Sequence, residues 1–224
     1  MNSPDLFGKR SNTYLIFSER FTPMRTIVLL ASILFCVSGN VLAQQAGKGA
    51  VPEWSVGNSR APVVIEVFSD YQCRRCAAFN ADLKRVQLKY GEKVRMTFHE
   101  FPLTPIHDKA LLAAQAAEAA GLQGKFFEMN DLLYAQAREW EQSRNFEEQF
   151  IAYARQLKLN VKRFRSDLVG SRVQERIRLD TERAQALKLP GTPTVVLSDG
   201  LVMHEDLANL DAEIDKRLSN RRDH

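Results

Sequence analysis

Apolar residues recur along this chain in two rhythms, and the rhythm changes several times. Val63 to Phe68 is a short apolar run bounded by polar residues, which predicts a buried strand. A segment with helical spacing follows. In it Phe79, Leu83, Val86 and Tyr90 share one face, and Gly91 is a suitable stop. Val94 to Phe101 then alternates apolar with polar, which predicts a second strand. A strand, a helix and a strand within about 40 residues predict a right-handed βαβ unit with parallel strands.

The middle of the chain is helical in pattern. Lys109 to Ala120 is almost all Ala and Leu, a helix able to pack closely on several sides, and Gly121 and Gly124 end it. Phe126, Phe127, Met129, Leu132 and Leu133 suit a second helix. Asn145 with Glu148 forms a capping pair for a third, which carries Phe146, Phe150, Ala154 and Leu157. A short helix is expected over Val161 to Leu168. Ser171 with Gln174 caps a longer one carrying Val173, Ile177, Ala184 and Leu187. Pro190-Gly191-Thr192-Pro193 breaks that pattern. Thr194 to Leu197 is a strand, Asp199-Gly200 a hairpin turn, and Leu201 to Met203 the returning strand. Asp206 caps a last amphipathic helix with Leu207, Leu210, Ile214 and Leu218 in register. The aromatics of the middle region read as core rather than as a cofactor site.

The start of the chain belongs to neither rhythm. Met24-Arg25 precedes an apolar run from Ile27 to Val37, and Val41-Leu42-Ala43 follows. A basic start, an apolar core of about a dozen residues and small residues before the cut make a secretory signal, with cleavage after Ala43. Either Met24 is the true start or the basic region is extended by residues 1–23. The run is short for a membrane span, which leaves an uncleaved anchor as the weaker reading. Bulky Phe35 argues against a lipid-modified Cys36. Residues 44–60 form a polar lead-in from which Trp54 docks on the domain.

The chain is 45% hydrophobic, enough for a sizeable core, and carries a net charge of +4. Its basic residues alternate with acidic ones, so they describe solvated helix faces and no nucleic-acid partner is expected. Removing residues 1–43 takes away four positive and two negative side chains and leaves +2. It also takes away Cys36, and Cys73 and Cys76 remain as the only cysteines. An exported chain with one close pair is not stapled by disulfides, so the pair is expected to be reactive.

That pair lies in Ser69-Asp70-Tyr71-Gln72-Cys73-Arg74-Arg75-Cys76, where the first strand meets the first helix. Unpaired N–H groups and the dipole at a helix start favour an anion there. They lower the Cys73 pKa and make it a thiolate, the nucleophile of disulfide exchange. Cys76 is close enough to close a ring with it. Zinc would need two further ligands, yet no second Cys-x-x-Cys exists and His99, His107, His204 and His224 show no paired spacing. A structural disulfide across so tight a loop would constrain the unfolded chain little. Redox chemistry is therefore expected.

Several motifs together resemble the DsbA-like thiol:disulfide oxidoreductases. They are Ala61-Pro62-Val63, Phe68-Ser69-Asp70-Tyr71-Gln72-Cys73 with Cys76, and Phe101-Pro102-Leu103. His107 with the Ala-rich helix, Gly124-Lys125-Phe126-Phe127 and Gly191-Thr192-Pro193-Thr194 complete the set. The resemblance runs from about Val56 to Leu218. It implies an α/β, thioredoxin-like fold: an N-terminal half over 61–105, an all-helical insertion over 106–188 and a C-terminal half over 189–219. It further implies that Cys73 attacks, that Cys76 resolves, and that the two form a redox-active disulfide. Pro193 would be a cis-proline facing the sulfurs, with Thr192 on the substrate side; an ordinary strand-entry proline is the alternative. The family usually has Pro after the first cysteine, whereas this chain has Arg74 and Arg75. These either stabilise the thiolate or are simply solvated. Glu66 is a candidate for the buried acid that moves protons, or else an outward polar residue. No metal or organic cofactor is implied. Expected partners are client proteins with thiols or disulfides, and a membrane or soluble redox partner. The expected activity is that of a periplasmic oxidase. A reductase or isomerase, or a non-catalytic adaptor binding peptides or a metal, are the alternatives.

Overall fold

The computed structural model describes residues 53–204 and 206–220. The expected signal and the cleavage after Ala43 lie outside the described residues. Val63, Ile65 and Val67 are fully buried while Val64 and Glu66 are only partly so, and this alternation makes strand β2 (Val63–Ser69). Helix α1 (Arg74–Tyr90) follows, and Gly91, at φ 53°, ends it in the left-handed region that favours glycine. Strand β3 (Val94–Glu100) then runs parallel to β2, with Val67 opposite Phe98. Strand β4 (Thr194–Leu197) lies antiparallel on the other side of β2, and β5 (Val202–Met203) antiparallel on β4. Strand β1 (Trp54–Gly57) closes the opposite edge, antiparallel to β3. The sheet order is β1-β3-β2-β4-β5. This is the α/β, thioredoxin-like arrangement.

Between β3 and β4 the chain makes helices α2 (Ala110–Gly121), α3 (Phe126–Ala135), α4 (Ala137–Gln142), α5 (Phe146–Gln156), α6 (Val161–Leu168) and α7 (Ser171–Ala186). Helix α8 (Leu210–Asn220) ends the described chain. Ala113, Ala114, Ala116, Ala117, Ala119 and Ala120 are all buried, so α2 is the centre of the helical group. Its small side chains let neighbouring helices approach from several directions. Around it pack Phe126, Met129, Leu133, Trp140, Phe150 and Phe164. Full burial of each large apolar side chain contributes about 1.5–3 kcal/mol.

The sheet has two different faces. Val63, Ile65 and Val67 meet Phe79, Leu83 and Val86 of α1 and Ile214 of α8. On the other face Phe68 and Val196 meet Ala184 of α7. Among the described residues no helix is long and apolar enough to cross a membrane.

Five local features differ from what the sequence predicts. The 44–60 lead-in contains a strand, β1. It is held by ladder bonds and by Trp54, whose ring stacks on Phe126 at 5.2 Å and covers Gly121. Helix α4 carries too few apolar residues to show a period, yet Trp140 is wholly buried and its Nε1 donates to Leu133 O at 2.8 Å. The Asn145 side chain makes no cap; its N–H donates to Ser143 Oγ at 3.0 Å, and Glu148 pairs with Arg165 instead. Ser171 is already inside α7, where Gly170 occupies the cap position, and Asp206 precedes a 3-10 turn (Leu207–Asn209) without a side-chain cap. A capping pattern shows what a side chain can do, and nearby partners decide whether it does.

Candidate active site

The end of β2 and the start of α1 are joined by Asp70, Tyr71 and Gln72, and Cys73 stands at the cap position of the helix. Cys73 is half-buried and Cys76, one turn on, is 1% exposed. Both are free thiols. The turn is anchored through Asp70, itself 1% exposed. Its backbone carbonyl accepts the Cys73 N–H at 3.1 Å. Its carboxylate accepts the N–H groups of Gln72 and Leu103, each at 2.7 Å, and His107 Nδ1 lies 2.9 Å away. A carboxylate only accepts, so His107 Nδ1 carries a proton. Gln72 extends the anchor: its Oε1 accepts the Lys109 N–H at 2.5 Å and its Nε2 donates to Asp108 at 3.1 Å. The segment after β3 is thereby bound to the cysteine turn.

This setting splits the two sulfurs. The Cys73 thiol is drawn down to about 5, first by the hydrogen bond from the Cys76 thiol. Partial burial opposes this, while the Cys76 N–H, the Thr192 side chain and the Arg75 N–H add to the lowering. Burial pushes the Cys76 thiol far up, and the facing Cys73 pushes it further. One sulfur is therefore an anion at neutral pH and the other keeps its proton.

The second wall of the site comes from the segment before β4. The Thr192–Pro193 peptide is cis. Pairing of Phe68 with Thr194 brings this segment beside the cysteine turn, and Thr192 O lies 3.4 Å from Cys73 Sγ, within reach of its S–H when protonated. Thr194 donates its hydroxyl to Gly191 O at 2.7 Å. His204 Nδ1 is 2.9 Å from Pro193 O and 3.0 Å from Thr194 Oγ1.

The two arginines diverge. Both are exposed. Arg74 lines a cleft of about 700 Å³ with Tyr71, Cys73, Tyr134 and Glu141. Arg75 Nη2 donates to His204 O at 3.0 Å. The leading influences on Cys73 include the Arg75 backbone N–H, not either guanidinium.

Glu66 is misplaced for proton transfer to the sulfurs. Its strand phase puts it on the face under α7, where it pairs with Arg183 and, at 3.2 Å, with His99. Half-burial pushes its carboxyl up, but those two partners hold it at about 2, so it is a permanent anion. The buried acid beside the cysteine turn is Glu100, at the end of β3 and on the α1 face. Tyr71 Oη lies 3.1 Å from Glu100 Oε1 and 3.2 Å from Asn130 Oδ1. Burial, together with Glu118 and Asp180, pushes Glu100 well above the usual carboxylate range. Glu100 Oε1 and Asn130 Oδ1 are thus both acceptors within reach of the single Tyr71 hydroxyl proton. The Tyr71 ring packs at 4.8 Å against Tyr134, which is also buried. Asp70, Tyr71, Glu100 and Tyr134 were not singled out from the sequence. Only Asp70 and Tyr71 carried a signal, through their place beside the cysteines.

Comparison with known proteins agrees with this geometry. The Thioredoxin_4 family model, described as thioredoxin, matches residues 50–216. A Bacillus anthracis protein named "Probable disulfide bond formation protein D" is 30% identical over 171 residues, covering 73% of this chain and 77% of its own. The crystal structure of oxidised BdbD from Bacillus subtilis superposes with a TM-score of 0.65 at 22% identity, covering 75% of this chain and 93% of that one. A protein of Salinispora tropica named Na(+)/H(+) antiporter NhaA 3 is 36% identical over 84% of this chain. The chain spans only 28% of that antiporter's length, so the match concerns one portion of a much longer polypeptide.

Proposed function

The chain belongs to the thioredoxin family, and from that premise we propose that it is a DsbA-like thiol:disulfide oxidoreductase, exported and acting as an oxidase of client thiols. In its disulfide form, a client thiolate attacks Cys73 Sγ. A client–Cys73 disulfide forms, the Cys73–Cys76 bond breaks, and Cys76 leaves and takes up a proton. A second client thiolate then attacks the client sulfur of the mixed disulfide. The client disulfide forms and Cys73 departs as a thiolate. Two electrons have passed to this chain, and a redox partner bearing a disulfide or quinone takes them away. Cys73 and Cys76 are the catalytic pair, and the Thr192–Pro193 segment offers backbone to an extended client.

The observation that carries this reading is the separation of the two thiols, with Cys73 near 5 and Cys76 pushed far up. A stable thiolate exists only in the reduced form. Stabilising it favours reduction of the protein's disulfide and makes the protein the stronger oxidant. A thiolate of low pKa is also the faster leaving group. Equilibration with glutathione tests the direction. A potential above about −200 mV is expected; a value near that of thioredoxin, about −270 mV, would make the protein a reductase. Export rests on the segment from Met24 to Ala43, and the exported form should begin at Gln44, in the periplasm.

A further inference from the structure

We propose that Arg75 and His204 form a brace that holds the Thr192–Pro193 segment against Cys73, making both of them positioning residues for client capture. The inference rests on the reading of Cys73 as the attacked sulfur and assigns Arg75 a task other than tuning that sulfur's charge.

The segment before β4 must keep its backbone within reach of Cys73, and Thr192 O sits 3.4 Å from Sγ. Within the segment, the Thr194 hydroxyl proton is committed to Gly191 O at 2.7 Å. Pro193 O can only accept, so the contact at 2.9 Å requires a proton on His204 Nδ1. The same N–H faces the Thr194 oxygen at 3.0 Å. One imidazole donor therefore holds two successive residues of the segment. His204 itself follows β5, a strand of only two residues, which fixes its position weakly. The second hold on His204 comes from α1: Arg75 Nη2 donates to its backbone carbonyl at 3.0 Å. Arg75 lies two positions after Cys73 in the same helix turn. The contacts close a ring from Cys73 along α1 to Arg75, across to His204, on to Pro193 and Thr192, and back to the sulfur.

An extended client must pair with this segment while its sulfur meets Cys73. A displacement of about 1 Å of a positioning group can cost up to about a hundredfold in rate. Loosening the ring should therefore weaken client capture and leave the thiolate alone, because the groups that lower Cys73 are its helix N–H donors, Cys76 and Thr192.

The test is oxidation of a cysteine-bearing peptide by the full mature chain, read as kcat and KM, with thiolate absorbance for the Cys73 pKa. Arg75→Gln and His204→Ala should each lower kcat/KM about tenfold, mainly through KM. Arg75→Gln should leave the pKa within about 0.3 of the wild type. His204→Asn, whose amide can donate towards the same carbonyl, should recover most of the loss. The double variant Arg75→Gln/His204→Ala should be no worse than either single one, because both break the same ring. Additive losses, an unchanged kcat/KM in both singles, or a Cys73 pKa that rises in step with the Arg75→Gln loss would each overturn the brace. Arg75 is exposed, so its variant should fold even if that of His204 does not. A wild-type chain unable to oxidise the peptide would instead overturn the functional reading beneath the proposal.

Discussion

Two polar regions of this molecule treat their acids in opposite ways. At the cysteine turn the Cys73 thiol is half-open to solvent and surrounded by donors, and its pKa falls. Behind it, between the sheet and helices α2 and α7, lies a sealed cluster of charges. There His99 Nδ1 sits 2.7 Å from Asp180, Arg176 reaches the same carboxylate at 3.2 Å and Glu118 at 3.6 Å, and Trp54 Nε1 donates to Glu118 at 2.7 Å. In this cluster the outcome differs from group to group. Burial pushes Glu118 up to about 8 despite Trp54 and Arg176. Burial also presses His99 down, but Asp180 and Glu66 outweigh it and the ring's pKa rises. Cys73 and Cys76 reproduce the same contrast across a single helical turn. Residue type sets where a pKa starts; the balance of donors against lost water sets where it ends.

The comparison breaks most sharply at the sulfurs. Cys73→Ser should abolish exchange. Cys76→Ser should leave a sulfur that attacks but is not released, so covalent client complexes should accumulate on a non-reducing gel. Equal trapping by both variants would erase the assigned asymmetry.

The next largest effect belongs to the sealed cluster. The Glu118 carboxyl sits near 8 in the folded protein and near the ordinary value of about 4.3 in the unfolded chain. Between these values the folded state holds the extra proton, so stability falls as pH rises from about 4.3 to 8. Glu118→Gln keeps an acceptor for Trp54 and has nothing to titrate. It should remove that fall and raise stability above pH 8 by about 4–6 kcal/mol relative to its effect at pH 4. Denaturant midpoints across this range decide, and parallel pH profiles for the two proteins would contradict a raised Glu118.

Asp70 tests whether the open site depends on a closed anchor. Asp70→Asn turns one of its acceptors into a donor facing other donors, which should cost about 1–3 kcal/mol. Chemical denaturation measures this, and a cost under about 0.5 kcal/mol would mean the anchor is replaceable.

The smallest expected effect is that of Arg74→Gln. Its guanidinium is solvated and screened, so the Cys73 pKa should move by less than about 0.5 and the potential by less than about 15 mV. A full-unit rise in thiolate titration would return the lowering to the arginine charge.

Much of this was legible along the chain because its cause is local. The apolar periods of β2, α1, β3 and helices α2, α3, α5, α6 and α7 are set by neighbours a few residues away, and so is the placing of Cys73 at a helix start. The Pro-Gly-Thr-Pro break before β4 is local in the same sense. What the chain could not show depends on distance across the fold. Glu66 differs from Val67 only in strand phase, yet the neighbouring strands and α7 turn it away from the sulfurs towards Arg183. Trp54 has one apolar neighbour in sequence, Val56, at strand spacing; it becomes part of β1 because β3 offers a ladder and α2 offers Gly121. The caps expected at Asn145 and Ser171 do not form: Glu148 pairs with Arg165, and Gly170 takes the cap position of α7. Arg75 and His204 are 129 positions apart, and Cys73 and Thr192 119 apart. A local period carries no information about such pairs. Packing the sheet and the helices together decides which of the chain's polar groups meet, and so which of them touch the chemistry.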